Sequence, residues 1–138
     1  MIEMFGNIDW LGVMAATVAA SILGGVWFVA LFSKAYATAL GRESEPPQKM
    51  APIFVVGPFF CAFVTVIASA MLMQALHITS TGEAMQFAVV VGLGYLAATT
   101  VNTGINPNIP RPLLYGLISG GYFFLSSIVI SLVLVSVR

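Results

Sequence analysis

The chain has 138 residues, of which 59% are hydrophobic and 7% charged, with a formal net charge of zero. Soluble domains carry roughly 25% charged residues, so this chain could not cover a water-exposed surface. The absence of a basic excess excludes nucleic-acid binding, and the single cysteine, Cys61, excludes an intrachain disulfide.

No Asp, Glu, Lys or Arg lies in the runs Trp10–Ser33, Met50–Gly82, Ala84–Pro110 and Pro112–Val137. Crossing a bilayer core takes roughly 20 apolar residues at about 1.5 Å of rise each, and each run is long enough. Membrane barrels need many alternating segments of roughly 10 residues, and these runs are continuous. Backbone groups in lipid must then be satisfied within helices. The predicted fold is all-α: an integral membrane bundle of four transmembrane helices in up-down order, built as two helical hairpins. A single membrane domain over residues 1–138 accounts for the whole chain.

The first predicted helix covers about 9–32. Asp9 is placed to cap it, with negative charge at the positive end of the dipole. The segment before it is acidic, and the apolar stretch exceeds the ~7–15 residues of a signal core, so it reads as a retained helix. Gly12, Ala16, Ala20 and Gly24 recur every fourth residue and share a face that permits close helix packing. That face can serve the bundle itself or self-association. The connection 33–49 holds Lys34, Arg42, Glu43, Glu45 and Lys49, and Pro46-Pro47 bars helix continuation there. The second helix covers about 50–76, with a kink expected at Gly57-Pro58. His77 reads as an interfacial residue and Cys61 as a small apolar packer. The turn 79–83 leads to the third helix, about 84–104. The proline-rich connection 105–112 follows, then the fourth helix, about 113–137, with Gly116 and Gly120 as further small packing positions.

Polarity inside the runs gathers in two stripes. Tyr95, Thr99, Asn102 and Asn106 share one face of the third helix if it extends about a turn past Gly104. Tyr115, Ser119, Tyr122 and Ser126 repeat the spacing on the fourth. The two helices are antiparallel, so the stripes lie at one depth and are expected to face each other, with Trp27 and Lys34 of the first hairpin nearby. An unmet amide such as Asn102 costs several kcal/mol in hydrocarbon, so it should face protein or water. The stripes therefore predict either a polar cleft or interhelical hydrogen bonds that set helix register.

Lys34, Arg42, Lys49 and Arg111 lie on one side of the membrane and only Arg138 on the other. The positive-inside rule places connections 33–49 and 105–112 in the cytoplasm and both termini outside. No intramembrane His, Lys or Asp stands ready to activate a hydroxyl, so no enzyme activity is expected. No cofactor or metal site is expected either.

The segment Trp27-Phe28-Val29-Ala30-Leu31-Phe32-Ser33-Lys34-Ala35-Tyr36, with Leu40-Gly41 after it, resembles a bacterial membrane family known as domain of unknown function 1761. Asn102, Arg111-Pro112-Leu113 and Gly121-Tyr122 continue the resemblance into the second hairpin. Departures are Phe28 for a common Tyr, Val29-Ala30 for a frequent Ser-Pro, and Ser33 for Gly. The resemblance implies the four-helix layout and a bacterial inner membrane, and it implies no activity. The expected function is an oligomeric channel- or carrier-like protein with a polar cleft between the third and fourth helices. The alternative is a non-catalytic accessory or structural subunit of a larger membrane complex. The partners implied are the lipid bilayer and further copies or other subunits.

Overall fold

The computed structural model describes residues 2–137. Arg138, on which the expected charge asymmetry partly rests, lies outside the described residues. A 3-10 turn, Ile2–Asn7, precedes five helices: α1 Trp10–Leu31, α2 Ser33–Ala39, α3 Ile53–Ala75, α4 Thr81–Gly104 and α5 Pro112–Ser136. No strand occurs among the described residues. The four long helices have 22 to 25 residues, about 33–38 Å at ~1.5 Å per residue, which crosses a hydrocarbon core of about 30 Å.

Local chemistry sets the ends. The Asp9 carboxylate accepts from the Leu11 N–H at 3.1 Å and caps α1 as expected. The start of α4 differs from the expected 84. Ser80 and Glu83 form a capping box: Ser80 Oγ accepts from the Glu83 N–H at 3.3 Å, and Glu83 Oε2 accepts from the N–H groups of Thr79 and Ser80 at 3.0 and 3.1 Å. Glu83 therefore belongs to the first turn of the helix, not to the turn before it. At the other end α4 stops at Gly104. Asn106 locks the connection instead of extending the helix: its Nδ2 donates to the Thr103 carbonyl at 2.6 Å, and its Oδ1 accepts from the Asn108 N–H at 2.8 Å. Pro112 opens α5, where its missing N–H costs nothing. Pro58 lies inside α3 without ending it. The connection expected over 33–49 is not all loop. The chain breaks from α1 at Phe32 (φ −118°, ψ 16°) and forms α2.

Three of the long helices contain a π-helical turn: Val26–Leu31 in α1, Gly92–Ala97 in α4 and Gly116–Gly120 in α5. A π turn adds a residue to the helical repeat, which offsets the faces on its two sides by about 100°. The turns of α1 and α5 lie toward the connections at 32–52 and 105–111.

α5 is the central helix. It is 44% buried over its most apolar stretch, against 17–22% for the other three spans. The core lies in the half away from those two connections, where Val13, Ala16 and Ala20 of α1 meet Val66, Ala70 and Met73 of α3, Ala84 and Phe87 of α4, and Ile130 and Leu134 of α5. Many of these side chains are small, so the backbones approach closely. α3 joins the core through its C-terminal half alone: its buried residues are Val66, Ser69, Ala70 and Met73.

Candidate functional site

The α4–α5 contact is closed by small residues. A side chain at Gly92 would meet Ser127 Cβ at 2.9 Å, and one at Gly116 or Gly120 would meet Val101 Cγ2 at 3.2 Å. Gly104 lies under the Tyr115 ring. Ser127 Oγ donates to the Ala88 carbonyl at 3.1 Å across the same contact. This packing leaves no polar cleft between the two helices. Tyr95, Thr99 and Asn102 instead lie on the outer surface of the chain, with Tyr95 68% exposed.

The π turn explains the reversal. In an uninterrupted α-helix, Tyr95, Thr99 and Asn102 would continue the face of Ala84, Ala88 and Gly92, all of which are buried. The turn at Gly92–Ala97 rotates the later residues by about 100°, so the stripe leaves the α5 side. Among the described residues the Tyr95 hydroxyl, the Thr99 hydroxyl and the Asn102 amide have no hydrogen-bond partner. Asn106 is separate from them, in the connection.

The fourth-helix stripe has the opposite fate. Ser119 and Ser126 are buried, and Tyr115 and Tyr122 are half-buried. The two tyrosines face α1 and α2 rather than the α4 stripe. Tyr122 Oη donates to the Ala20 carbonyl at 3.2 Å, and a side chain at Gly24 would meet that oxygen at 3.0 Å. Phe28 stands edge-on to both Tyr122 and Tyr36, with ring centroids 5.1 Å apart in each pair. Tyr36 continues to Tyr115 at 6.1 Å. Trp27 packs at a tilt against Phe32, with ring centroids 4.5 Å apart, and its Nε1–H donates to the Ile118 carbonyl at 2.9 Å. That carbonyl lies in the π turn of α5, where the wide turn disturbs the usual helical pairing. The indole thus joins the π turns of α1 and α5. Burial pushes the Tyr36 phenol up from its ordinary value; the neighbouring Tyr115 adds to the rise, and Arg42 opposes it.

Gly12, Ala16, Ala20 and Gly24 are used within the chain, against α5. A side chain at Gly12 would meet Val137 Cβ at 3.7 Å, and Ala16 and Ala20 are fully buried. That face is therefore not free to join a second copy. Lys34 is exposed at the start of α2 and bounds no cleft. Helical spacing does not single out Phe28, Phe32 and Tyr36. The signal that points to them is the segment Trp27–Tyr36 that carries the family resemblance.

Above the cluster, the Arg111 N–H donates to the Ala39 carbonyl at 3.3 Å, which ties the start of α5 to the end of α2. Arg111 pairs with Glu43 at 3.8 Å and Arg42 with Glu45 at 3.9 Å. Both pairs are about half exposed, so each contributes little to stability.

Residues 11–135 match the family described as "Protein of unknown function (DUF1761)". The chain belongs to this family. Two of the stretches that resemble it, Trp27–Tyr36 and Gly121-Tyr122, meet in this DUF1761 chain through the Phe28–Tyr122 contact. No curated protein and no solved structure matches the chain.

Proposed function

We propose that this DUF1761 protein is a non-catalytic membrane subunit that works by self-assembly, with the Tyr95–Thr99–Asn102 face of α4 as its intersubunit contact. The observation that carries this reading is three unpartnered polar groups on the outside of a membrane-spanning helix. Tyr95 lies about 13 Å from the Gly104 end of α4 at ~1.5 Å per residue. Helical side chains lean toward the N-terminus, so the phenol leans toward mid-bilayer and away from the nearer surface. A hydroxyl left unmet there costs free energy that another protein surface removes. Tyr, Thr and Asn are uncharged and carry both donors and acceptors. The same face on a second copy therefore complements it, as a two-fold contact requires.

A channel or carrier receives less support. Polarity on this face ends at Tyr95; beyond it Leu93, Val90 and Val89 are exposed and apolar. Tyr115 and Tyr122 of α5 are taken up in the aromatic cluster with Phe28 and Tyr36. Several hydroxyls elsewhere in the spans are engaged by their own helix, as in Thr17 to the Val13 carbonyl and Thr100 to the Leu96 carbonyl. Ser127 and Tyr122 donate to α4 and α1, while Ser131 Oγ is buried without a partner among the described residues. Two cavities, of about 270 and 320 Å³, lie near the opposite end of the bundle, lined in part by Asn7 and Gln74 and by Ile78 and Gln86.

The test is the oligomeric mass of Thr99→Leu/Asn102→Leu in lipid nanodiscs. The proposal expects an oligomer for the parent and a monomer for the variant. A parent monomer, or an unchanged oligomer in the variant, overturns it.

A further inference from the structure

Two aromatic donors within the spans end on backbone carbonyls, and each lies over a glycine. Tyr122 Oη donates to the Ala20 carbonyl at 3.2 Å, four residues before Gly24, and a side chain at Gly24 would meet that hydroxyl at 3.0 Å. Trp27 Nε1–H donates to the Ile118 carbonyl at 2.9 Å, three residues before Gly121, and a side chain at Gly121 would meet Trp27 Cζ2 at 3.5 Å. A helical side chain leans back over the preceding turn and covers it. Glycine leaves that turn bare, and a carbonyl already paired within its helix keeps a second lone pair. An aromatic donor from a neighbouring helix can then reach it.

The outer face of α4 holds both halves of this arrangement, unjoined. Tyr95 is exposed, and its hydroxyl has no hydrogen-bond partner among the described residues. Gly94 beside it is also exposed, and nothing lies within 4 Å of its Cβ position. Adjacent helical residues differ by about 1.5 Å in depth and point roughly a quarter turn apart. Tyr95 therefore cannot lie over Gly94 of its own helix. A two-fold axis along the membrane normal, passing between the two directions, sets each Tyr95 against Gly94 of the other copy at one depth. The phenol leans toward the N-terminus of its helix, which is the side on which the carbonyls bared by Gly94 lie.

We propose, on the basis of assembly through this face of α4, that each Tyr95 lies over Gly94 of the second copy and donates to that copy's Val90 or Val91 carbonyl. Each dimer then holds two reciprocal bonds. The measurement is the dimer dissociation constant by fluorescence energy transfer in liposomes. Tyr95→Phe removes both bonds and should weaken the dimer roughly tenfold or more. Gly94→Leu covers the carbonyls and should give a monomer of unchanged helix content, because the position is open in the single chain. Gly25→Leu, at a span glycine of α1 that likewise has nothing within 4 Å, should dimerise as the parent does. A parent-like dimer from Tyr95→Phe or from Gly94→Leu overturns the proposal, as does an equal loss in Gly25→Leu. If both α4 variants are parent-like while Thr99→Leu/Asn102→Leu is monomeric, assembly through α4 stands and this pairing alone fails. A monomeric parent overturns both.

Discussion

Gly92→Ala should destabilise the protein by about 1–4 kcal/mol, because overpacking and a lost interhelical bond outweigh the gain in helix propensity. The new Cβ would stand 2.9 Å from Ser127 Cβ and 3.0 Å from Phe124 Cδ2. Carbon atoms rest at about 3.5–4.0 Å, so α4 and α5 must separate by at least ~0.5 Å at this level. Ser127 Cβ is fixed to the α5 backbone and cannot rotate away. The Ser127 Oγ to Ala88 carbonyl bond, 3.1 Å long, then stretches out of hydrogen-bond range. Overpacking contributes about 1–3 kcal/mol and the lost interhelical bond about 0.6–1.7 kcal/mol, offset by up to ~1 kcal/mol of helix propensity that alanine gains over glycine. Gly94, in the same π turn, has nothing within 4 Å of its Cβ position. Gly94→Ala should therefore be neutral or stabilising by up to ~1 kcal/mol, through helix propensity. Reversible unfolding in mixed micelles measures both. A Gly92→Ala loss below ~0.5 kcal/mol, or equal effects of the two variants, would refute the close α4–α5 approach.

Trp27→Phe removes the indole donor to the Ile118 carbonyl and should cost about 1 kcal/mol in the same assay; no loss would mean that the bond between the π turns is not formed in the membrane. The raised Tyr36 phenol gives an alkaline phase. Its stabilising contribution is fully present below the ordinary tyrosine pKa of about 10 and is lost as pH rises through the higher folded value. Tyr36→Phe should flatten that phase, and an unchanged alkaline profile would count against a buried phenol. Cysteines at Ser44 and Asn108 in a Cys61→Ala background should label from the same side of the membrane, because Arg111 reaches Glu43 across the two connections. Labelling from opposite sides would contradict the hairpin arrangement.

The spans were readable because lipid tolerates so little charge: the bounds expected from four runs without Asp, Glu, Lys or Arg fall within a few residues of the four long helices. Asp9 was readable as a cap. The capping box of Ser80 and Glu83 was also written in the sequence but was obscured by the polar turn around it. α2 is too short and too near charged residues to show a hydrophobic period. The polar stripes show the limit of periodicity. Gly12, Ala16, Ala20 and Gly24 keep the spacing of an α-helix up to the π turn at Val26, and they lie together against α5. The stripe of α4 lies largely beyond a π turn, and the turn redirects it. A 3.6-residue period shows which residues share a face, but not where that face points once a residue has been added to the helix. The aromatic cluster was hidden for another reason: Phe28, Tyr36 and Tyr122 meet across three helices, and no local spacing encodes that.

The most direct test of the assembly reading is cysteine cross-linking in native membranes, in a Cys61→Ala background, with Thr99→Cys compared against Ser119→Cys. Thr99 lies on the exposed face of α4, whereas Ser119 is buried in α5. The account predicts a covalent dimer from Thr99→Cys and none from Ser119→Cys. A Thr99→Cys protein that stays monomeric and reacts freely with a lipid-phase thiol probe would contradict it, because the polar face of α4 would then meet lipid alone.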